Sequence, residues 1–462
     1  MQRLTGLDAS FLYLETATQP LHVCALVTVD PSTIPGGYSF ETARRALADR
    51  LLRLPEFRRK VHTSWLNLDH PLWVEDQEFD LEHHLHRIAV PPPGGPGELA
   101  ELCAHIASQP MDRSRPLWEI YLVEGSADGS LAVLAKMHHA SVDGVSGANL
   151  MSQLAALEPD APLPEPEERP GSPTPPGALE LLADGVRSFA RRPVRALRMM
   201  PELMGIVPGF VARSLRGEGM RLPFTAPRTP FNRTITARRG VALAQLDLDE
   251  IKRVKNAFDV TVNDVVLALC SGALRRYLAD RDELPGKPLL ASVPVSVHDR
   301  TARPEGANKV SAWFASLPTD LDDPVDRLRA LSVSNTRAKN HHHTVPADML
   351  QDWARLAGPA TFGLAVRAYS TLRLAEKHPA VHNLVISNVP GPPVPIYLLG
   401  ARVTGMYPLG PVFHGCGLNI TVLSLAGQVN VGVVCAAELV PDPWPIVEGM
   451  RDELTTLLDA AG

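Results

Sequence analysis

The chain has 462 residues, 45% hydrophobic and 21% charged, with a formal net charge of −6 and a pI near 6.2. That length suits two domains, each with its own core, and the acidic balance gives no basis for nucleic-acid binding. Five scattered cysteines (Cys24, Cys103, Cys270, Cys416 and Cys435) form no CxxC pair and read as reduced thiols of a cytoplasmic protein.

The N-terminus lacks a basic start followed by an apolar core, so no signal peptide is expected. No window holds about 20 uninterrupted apolar residues, so no helix is expected to span a bilayer. Residues 4–14 mix an Asp/Ser turn with an apolar run and lead into a strand over 23–29. His22, just ahead of that strand, reads as a packed or surface histidine. A helical period marks 40–53. Segments at 57–62 and 72–74 follow, and the histidine-rich alternation at 80–87 suggests a strand, with His83, His84 and His86 structural or solvated. The Pro/Gly loop 91–97 precedes a helix over 98–109. Pro116, Leu117 and Trp118 then lead into the strand 119–124, where the tryptophan reads as a core residue.

The pattern that organises the chain is His138-His139 followed, after three residues, by Asp143-Gly144. An apolar run over 131–136 precedes it as a buried strand, and a helical stripe over 145–154 follows. The motif therefore occupies a strand-to-helix turn, where a side chain is held rigidly and still reaches a cleft. Adjacent residues on an extended segment point in opposite directions. One imidazole can face a channel while the other is buried as support. His139 is the candidate base, because an imidazole of pKa about 6.5 is largely free to accept a proton at neutral pH. Asp143 either holds a histidine in one tautomer or pairs with an arginine, and Gly144 permits the tight turn. Adjacent histidines rarely share one metal ion, and no cysteine or glutamate stands at ligand spacing, so no metal is expected.

Past this helix the composition breaks. Residues 158–177 are Pro-rich and acidic and read as a linker. Helical periodicity returns over 178–216, interrupted by prolines and studded with arginines. It fits either an interfacial helix on a lipid surface or a crossover helix between lobes. An amphipathic helix is expected at 247–258, and a helix on an apolar core at 261–278, with Asn263-Asp264 as its cap. Strands follow at 289–297 and 308–317, then a helix over 325–340 ending in the triplet at 341–343, read as a polar helix end. A strand from 382 runs through Ser387 and Asn388 to a Pro/Gly turn at Gly391. Residues 418–424 and 428–435 form a hairpin across Ala426-Gly427, and a helix over 444–458 closes the chain.

The HHxxxDG string resembles the active-site motif of the condensation-domain and CoA-dependent acyltransferase superfamily. Joined with Pro116-Leu117-Trp118, Asn263-Asp264, the Ser-Asn-Val-Pro-Gly-Pro string at 387–392, and residues 407–411 and 417–420, it resembles the bacterial wax ester synthase/diacylglycerol acyltransferase family. The resemblance implies an α/β fold of two lobes, each a mixed sheet packed with helices, with a tunnel between them. The division by sequence is a first lobe over 1–157, the linker, crossover helices over 178–230, and a second lobe over 231–462. It further implies acyl transfer from acyl-CoA, as substrate rather than cofactor, to diacylglycerol or a long-chain alcohol. On this resemblance His139 is the general base and His138 and Asp143 are supports; Pro116, Leu117, Trp118, Asn263, Asp264, Ser387, Asn388 and Gly391 line or support the site. The resemblance also implies direct transfer, without an acyl-enzyme. The implied location is cytoplasmic or peripheral on the inner membrane or lipid droplets through 178–216. His414, Leu425 and Ala437 depart from the family pattern and put the acceptor in question. The alternatives are a condensation-type enzyme using a carrier-bound donor, or a non-catalytic lipid-binding protein.

Overall fold

The computed structural model describes residues 2–63, 69–141, 154–159, 222–296, 310–342 and 359–462, with the isolated positions 177, 183, 185–187 and 190. Asp143, Gly144, the helix expected at 145–154 except its last residue, and nearly all of 160–221 lie outside the described residues. In chain order the first half contains β1 (Gln2–Arg3), α1 (Gly6–Leu14), β2 (His22–Asp30), α2 (Phe40–Leu51), β3 (Arg59–His62), β4 (Leu72–Glu75), β5 (Leu85–Ala89), α3 (Pro96–Ser108), β6 (Trp118–Glu124), β7 (Leu131–His138) and β8 (Ala155–Ala156). The second half contains β9 (Arg239–Asp247), α4 (Leu248–Ala257), α5 (Val262–Ala279), β10 (Leu289–Ser296), β11 (Val310–Leu317), α6 (Pro324–His342), α7 (Pro359–Thr371) and β12 (Leu384–Val389). It closes with β13 (Tyr397–Leu398), β14 (Ala401–Leu409), β15 (Leu418–Leu425), β16 (Gln428–Ala436) and α8 (Trp444–Ala461).

Two mixed sheets carry the two lobes. The first has the order β5-β6-β7-β2-β14-β13-β8 and the second β11-β10-β12-β15-β16-β9. The first sheet is completed by the last third of the chain: β14 pairs antiparallel with β2 from Arg402↔Asp30 to Leu409↔Cys24. Sequence division assigns β13 and β14 to the second lobe, yet their hydrogen bonds belong to the first. Gly432 of β16 shows how closely the sheets approach, because a Cβ there would sit 2.1 Å from the Pro408 carbonyl oxygen on β14.

The second core forms around α5, whose residues from Asp264 to Leu274 are all buried. A helix apolar all round belongs inside a protein, and α4, α6, α8 and the sheet enclose it. Its N-cap is Thr261, not Asn263. Thr261 accepts from the Asp264 N–H (3.1 Å) while the Asp264 carboxylate accepts from the Thr261 N–H (3.1 Å), a reciprocal capping box that Asn263 cannot form. A buried ion pair ties α6 to α8: Arg327 donates to both Glu453 oxygens at 2.7 and 2.9 Å. Between the lobes, Leu99, Cys103 and Ile106 of α3 share a core with Val241 and Leu243 of β9 and Val434 of β16.

Several expected elements differ. The strand expected at 80–87 is a short 3-10 turn, Leu81–His83, capped by Asp80, followed by β5. Within it His84 is buried, 4.5 Å from the Trp118 ring, while His83 is exposed. Residues 6–14 form a helix rather than a turn, because Thr5 caps the Asp8 N–H at 3.1 Å. The hairpin turn has Ala426 and Gly427 both at positive φ, 46° and 89°, the type I′ geometry that matches strand twist. Among the described residues no single helix is long and apolar enough to cross a membrane.

Candidate active site

The site begins where β7 ends. His138 is the last residue of the strand and the antiparallel partner of His22 on β2. Its backbone N–H donates to the Leu117 carbonyl at 3.0 Å, while the next N–H, from His139, donates to Leu21 O at 2.9 Å. The Ser141 N–H turns back to His138 O at 2.9 Å, and its hydroxyl donates to the same oxygen at 2.7 Å. The two rings therefore leave a backbone fixed from both sides.

His138 is fully buried, and its Nδ1 accepts the Ala140 N–H at 3.0 Å. A nitrogen that accepts carries no proton, so the neutral ring bears its proton on Nε2. That atom lies 3.3 Å from Glu15 Oε2, while Glu15 Oε1 lies 3.2 Å from His22 Nε2. The Leu21 N–H also donates to Oε1 at 3.3 Å, and Arg113 Nε to Oε2 at 3.0 Å. Burial would raise the Glu15 carboxyl, but the close His138 and His22 rings and the Arg113 charge hold it far below the usual carboxylate range. Burial lowers His22, and the charge of buried Lys136 adds to that.

His139 leaves the turn in the other direction. Its ring stacks on Phe11 at 3.9 Å between centroids and 20° between planes. Its Nδ1 is buried without a hydrogen-bond partner among the described residues. Burial pushes its pKa down to about 4. At neutral pH the ring is an unprotonated imidazole.

Pro116-Leu117-Trp118 supports this turn through the backbone. Leu117 supplies the carbonyl that holds His138, and Trp118 Nε1–H donates to Phe57 O at 2.8 Å in the core. In the second lobe Asn388 Nδ2 donates to Asn263 Oδ1 at 3.4 Å, which joins two residues selected from sequence. Asp264 is directed into the core, accepting from Asn335 at 2.7 Å. Ser387 sits beside Asn388 on β12, with Thr421 as its partner on β15. At Gly391 a Cβ would stand 2.1 Å from Ser424 O, so only glycine fits that close approach. Among the described residues no hydrogen bond or ring contact joins this second group to His138 or His139.

Sequence reasoning missed Glu15, Phe11 and Arg113. Their signal, a Phe and a Glu four apart at the end of a helix, is visible only once residues 6–14 are recognised as helical. It also left His414 as a mere departure from a pattern. His414 Nδ1 accepts the Ile235 N–H at 3.1 Å, its Nε2 is 3.2 Å from Thr18 Oγ1, and its N–H donates to Gln19 at 2.7 Å. Beside it opens a cavity of about 300 Å³ with Tyr369, His378 and His382 on its wall. Among the described residues no three His, Cys, Asp or Glu side chains are grouped to hold a metal.

Residues 4–266 match the wax ester synthase/diacylglycerol acyltransferase catalytic domain, and residues 306–458 the C-terminal domain of the same family. The chain belongs to that family. A Mycobacterium tuberculosis protein named for diacylglycerol O-acyltransferase activity is 46% identical over 462 residues, covering 100% of this chain and 91% of the relative. A second from that species is 38% identical over 473 residues, covering 99% of this chain and all of its own length. Among solved structures, the wax ester synthase/diacylglycerol acyltransferase of Marinobacter aquaeolei VT8 superposes with a TM-score of 0.72 at 31% identity, each chain fully covered. The first condensation domain of the CDA synthetase, at a TM-score of 0.57 and 15% identity over 99% of this chain and 96% of its own, shares the fold. The family is one of O-acyltransferases with a two-lobed α/β fold, and this chain is such an enzyme.

Proposed function

We propose that this enzyme transfers a fatty acyl group from acyl-CoA to the hydroxyl of diacylglycerol, a long-chain alcohol, or both, with His139 as general base. The observation that carries the reading is the environment of His139: a neutral imidazole, pressed against Phe11, at the end of a rigidly hydrogen-bonded strand. The acceptor hydroxyl gives its proton to His139 as its oxygen attacks the thioester carbonyl. The tetrahedral intermediate collapses, breaking the C–S bond, and the departing CoA thiolate takes the proton from the imidazolium. A pKa near 4 keeps the base unprotonated at physiological pH and makes its conjugate acid a ready donor to that thiolate.

Direct transfer is supported by the thiols. All five cysteines are buried; burial pushes four of their thiols up to about 12 and Cys103 higher still, and none is poised as a nucleophile. Such hydrophobic acceptors suit a cytoplasmic enzyme that works at the surface of the inner membrane or lipid droplets, with 178–216 as the contacting segment.

The test is ester formation from labelled palmitoyl-CoA, with diacylglycerol and hexadecanol in parallel, on wild type and His139→Ala. Loss of about 10²–10⁴-fold in the variant is expected. Equal product from both proteins would sink the assignment of the base, and no product from wild type with either acceptor would sink the substrates.

A further inference from the structure

One face of α1 holds both histidines. Phe11 and Glu15 are four residues apart, so both project from one side of the helix end. Phe11 stacks on the His139 ring at 3.9 Å, and Glu15 receives the Nε2 edge of His138 at 3.3 Å. Both Glu15 oxygens are engaged: Oε1 accepts the Leu21 N–H and lies 3.2 Å from His22 Nε2, and Oε2 accepts from Arg113 and lies 3.3 Å from His138 Nε2, close enough for charge attraction though short of an aligned hydrogen bond. Its side chain is 12% exposed, against 46% for Arg113.

We infer that Glu15 is the positioning residue of the His138-His139 turn, acting through His138 rather than on substrate. The chain of contacts has a definite order. Arg113, anchored also to Leu12 O at 2.9 Å, fixes the Glu15 carboxylate. The carboxylate charge, 3.3 Å from His138 Nε2, favours the proton on that nitrogen. That tautomer leaves Nδ1 free to accept the Ala140 N–H, and this bond shapes the turn that aims His139. With the proton on Nδ1 instead, two donors would face each other across 3.0 Å and the turn would have to open. The second lobe reaches the same helix end, because Gln19, which binds the His414 N–H, also donates to Leu14 O at 2.8 Å. The inference rests on His139 being the base, as proposed above.

The test combines selective ¹⁵N-histidine NMR at neutral pH, which reads the His138 tautomer without substrate, with steady-state kinetics on Glu15→Leu and Arg113→Gln. In wild type, His138 is expected as the pure Nε2–H form. Glu15→Leu removes the acceptor at nearly constant volume. It should give a mixed or inverted tautomer and lower kcat by about 10- to 100-fold, with KM for acyl-CoA changed by less than about threefold. Arg113→Gln should give the same change in smaller measure, roughly 3- to 10-fold in kcat. A folded Glu15→Leu variant with the wild-type His138 signature would overturn the inference, as would one that raises KM at constant kcat. Should Glu15→Leu fail to fold, the half-exposed Arg113→Gln decides by the same two readouts. Activity that survives in His139→Ala refutes the base, and leaves the tautomer measurement to judge Glu15 separately.

Discussion

The Phe11 ring offers a direct way to test the electrostatics of the site. Phe11 covers one face of His139 and thereby contributes to the desolvation that pushes this imidazole from its ordinary 6.5 to about 4. At pH 5.5 a base of pKa about 4 is roughly 97% unprotonated, whereas one of pKa about 6.5 is roughly 9% unprotonated. Wild-type kcat/KM should therefore be flat from neutral pH down to about 5.5. Phe11→Ala admits water to the ring face and restores part of the lost solvation of the imidazolium, moving the pKa upward by about one to two units. Its kcat/KM at pH 5.5 should fall to roughly one-quarter to three-quarters of its own plateau, with the acidic limb shifted by the same one to two units. The assay is initial-rate ester formation between pH 5 and 8, each rate normalised to the plateau so that misplacement of the ring does not enter. A wild-type limb near pH 6.5, or identical limbs in the two proteins, would refute the reasoning.

The same imbalance predicts acid lability. His139, His382 and His414 are each pushed down to about 4 by burial. The unfolded chain binds protons that the folded one refuses, so this stability is complete above about pH 6.5 and is lost as pH falls toward 4. Unfolding free energies from urea titration should drop between pH 7 and pH 5 by at most roughly 1.4 kcal/mol per pH unit per histidine, and a flat profile would contradict these pKa values. Glu453→Ala leaves Arg327 buried and unpaired and should cost about 3–5 kcal/mol by denaturant titration, whereas replacing both partners with apolar residues should recover most of it. Gly432→Ala places a methyl against the Pro408 carbonyl where the sheets meet and should cost about 1–3 kcal/mol, measured as a lower Tm.

What the sequence disclosed follows a physical division between local and distant contacts. The helices α2, α3 and α4 and the hairpin β15–β16 were legible because one face is polar and the turn residues are adjacent. Helix α1 was not, because Phe11 faces His139 while Tyr13 approaches Phe362 of α7, so apolar residues occupy more than one face. The short alternation around His84 suggested a strand, but Asp80 accepts the Glu82 N–H at 3.0 Å and tightens the chain into a 3-10 turn first. Thr261 prevailed over Asn263 as a cap because only Thr261 has a carboxylate three residues on. His138 and His139 were found by their spacing. Glu15 leaves a mark only through its four-residue spacing from Phe11 once α1 is known, and Arg113, which meets Glu15 only in three dimensions, leaves none.

The crossing of β14 into the first sheet has a consequence for how the protein is made. Strand β2 emerges early from the ribosome, but its partner from Ala401 to Leu409 emerges near the end. At roughly 5–20 residues per second, β2 exposes an unpaired edge for about 20–80 s before its neighbour exists. The lobe that carries the histidines cannot close co-translationally on its own, and fragments ending in the linker should expose that edge and aggregate.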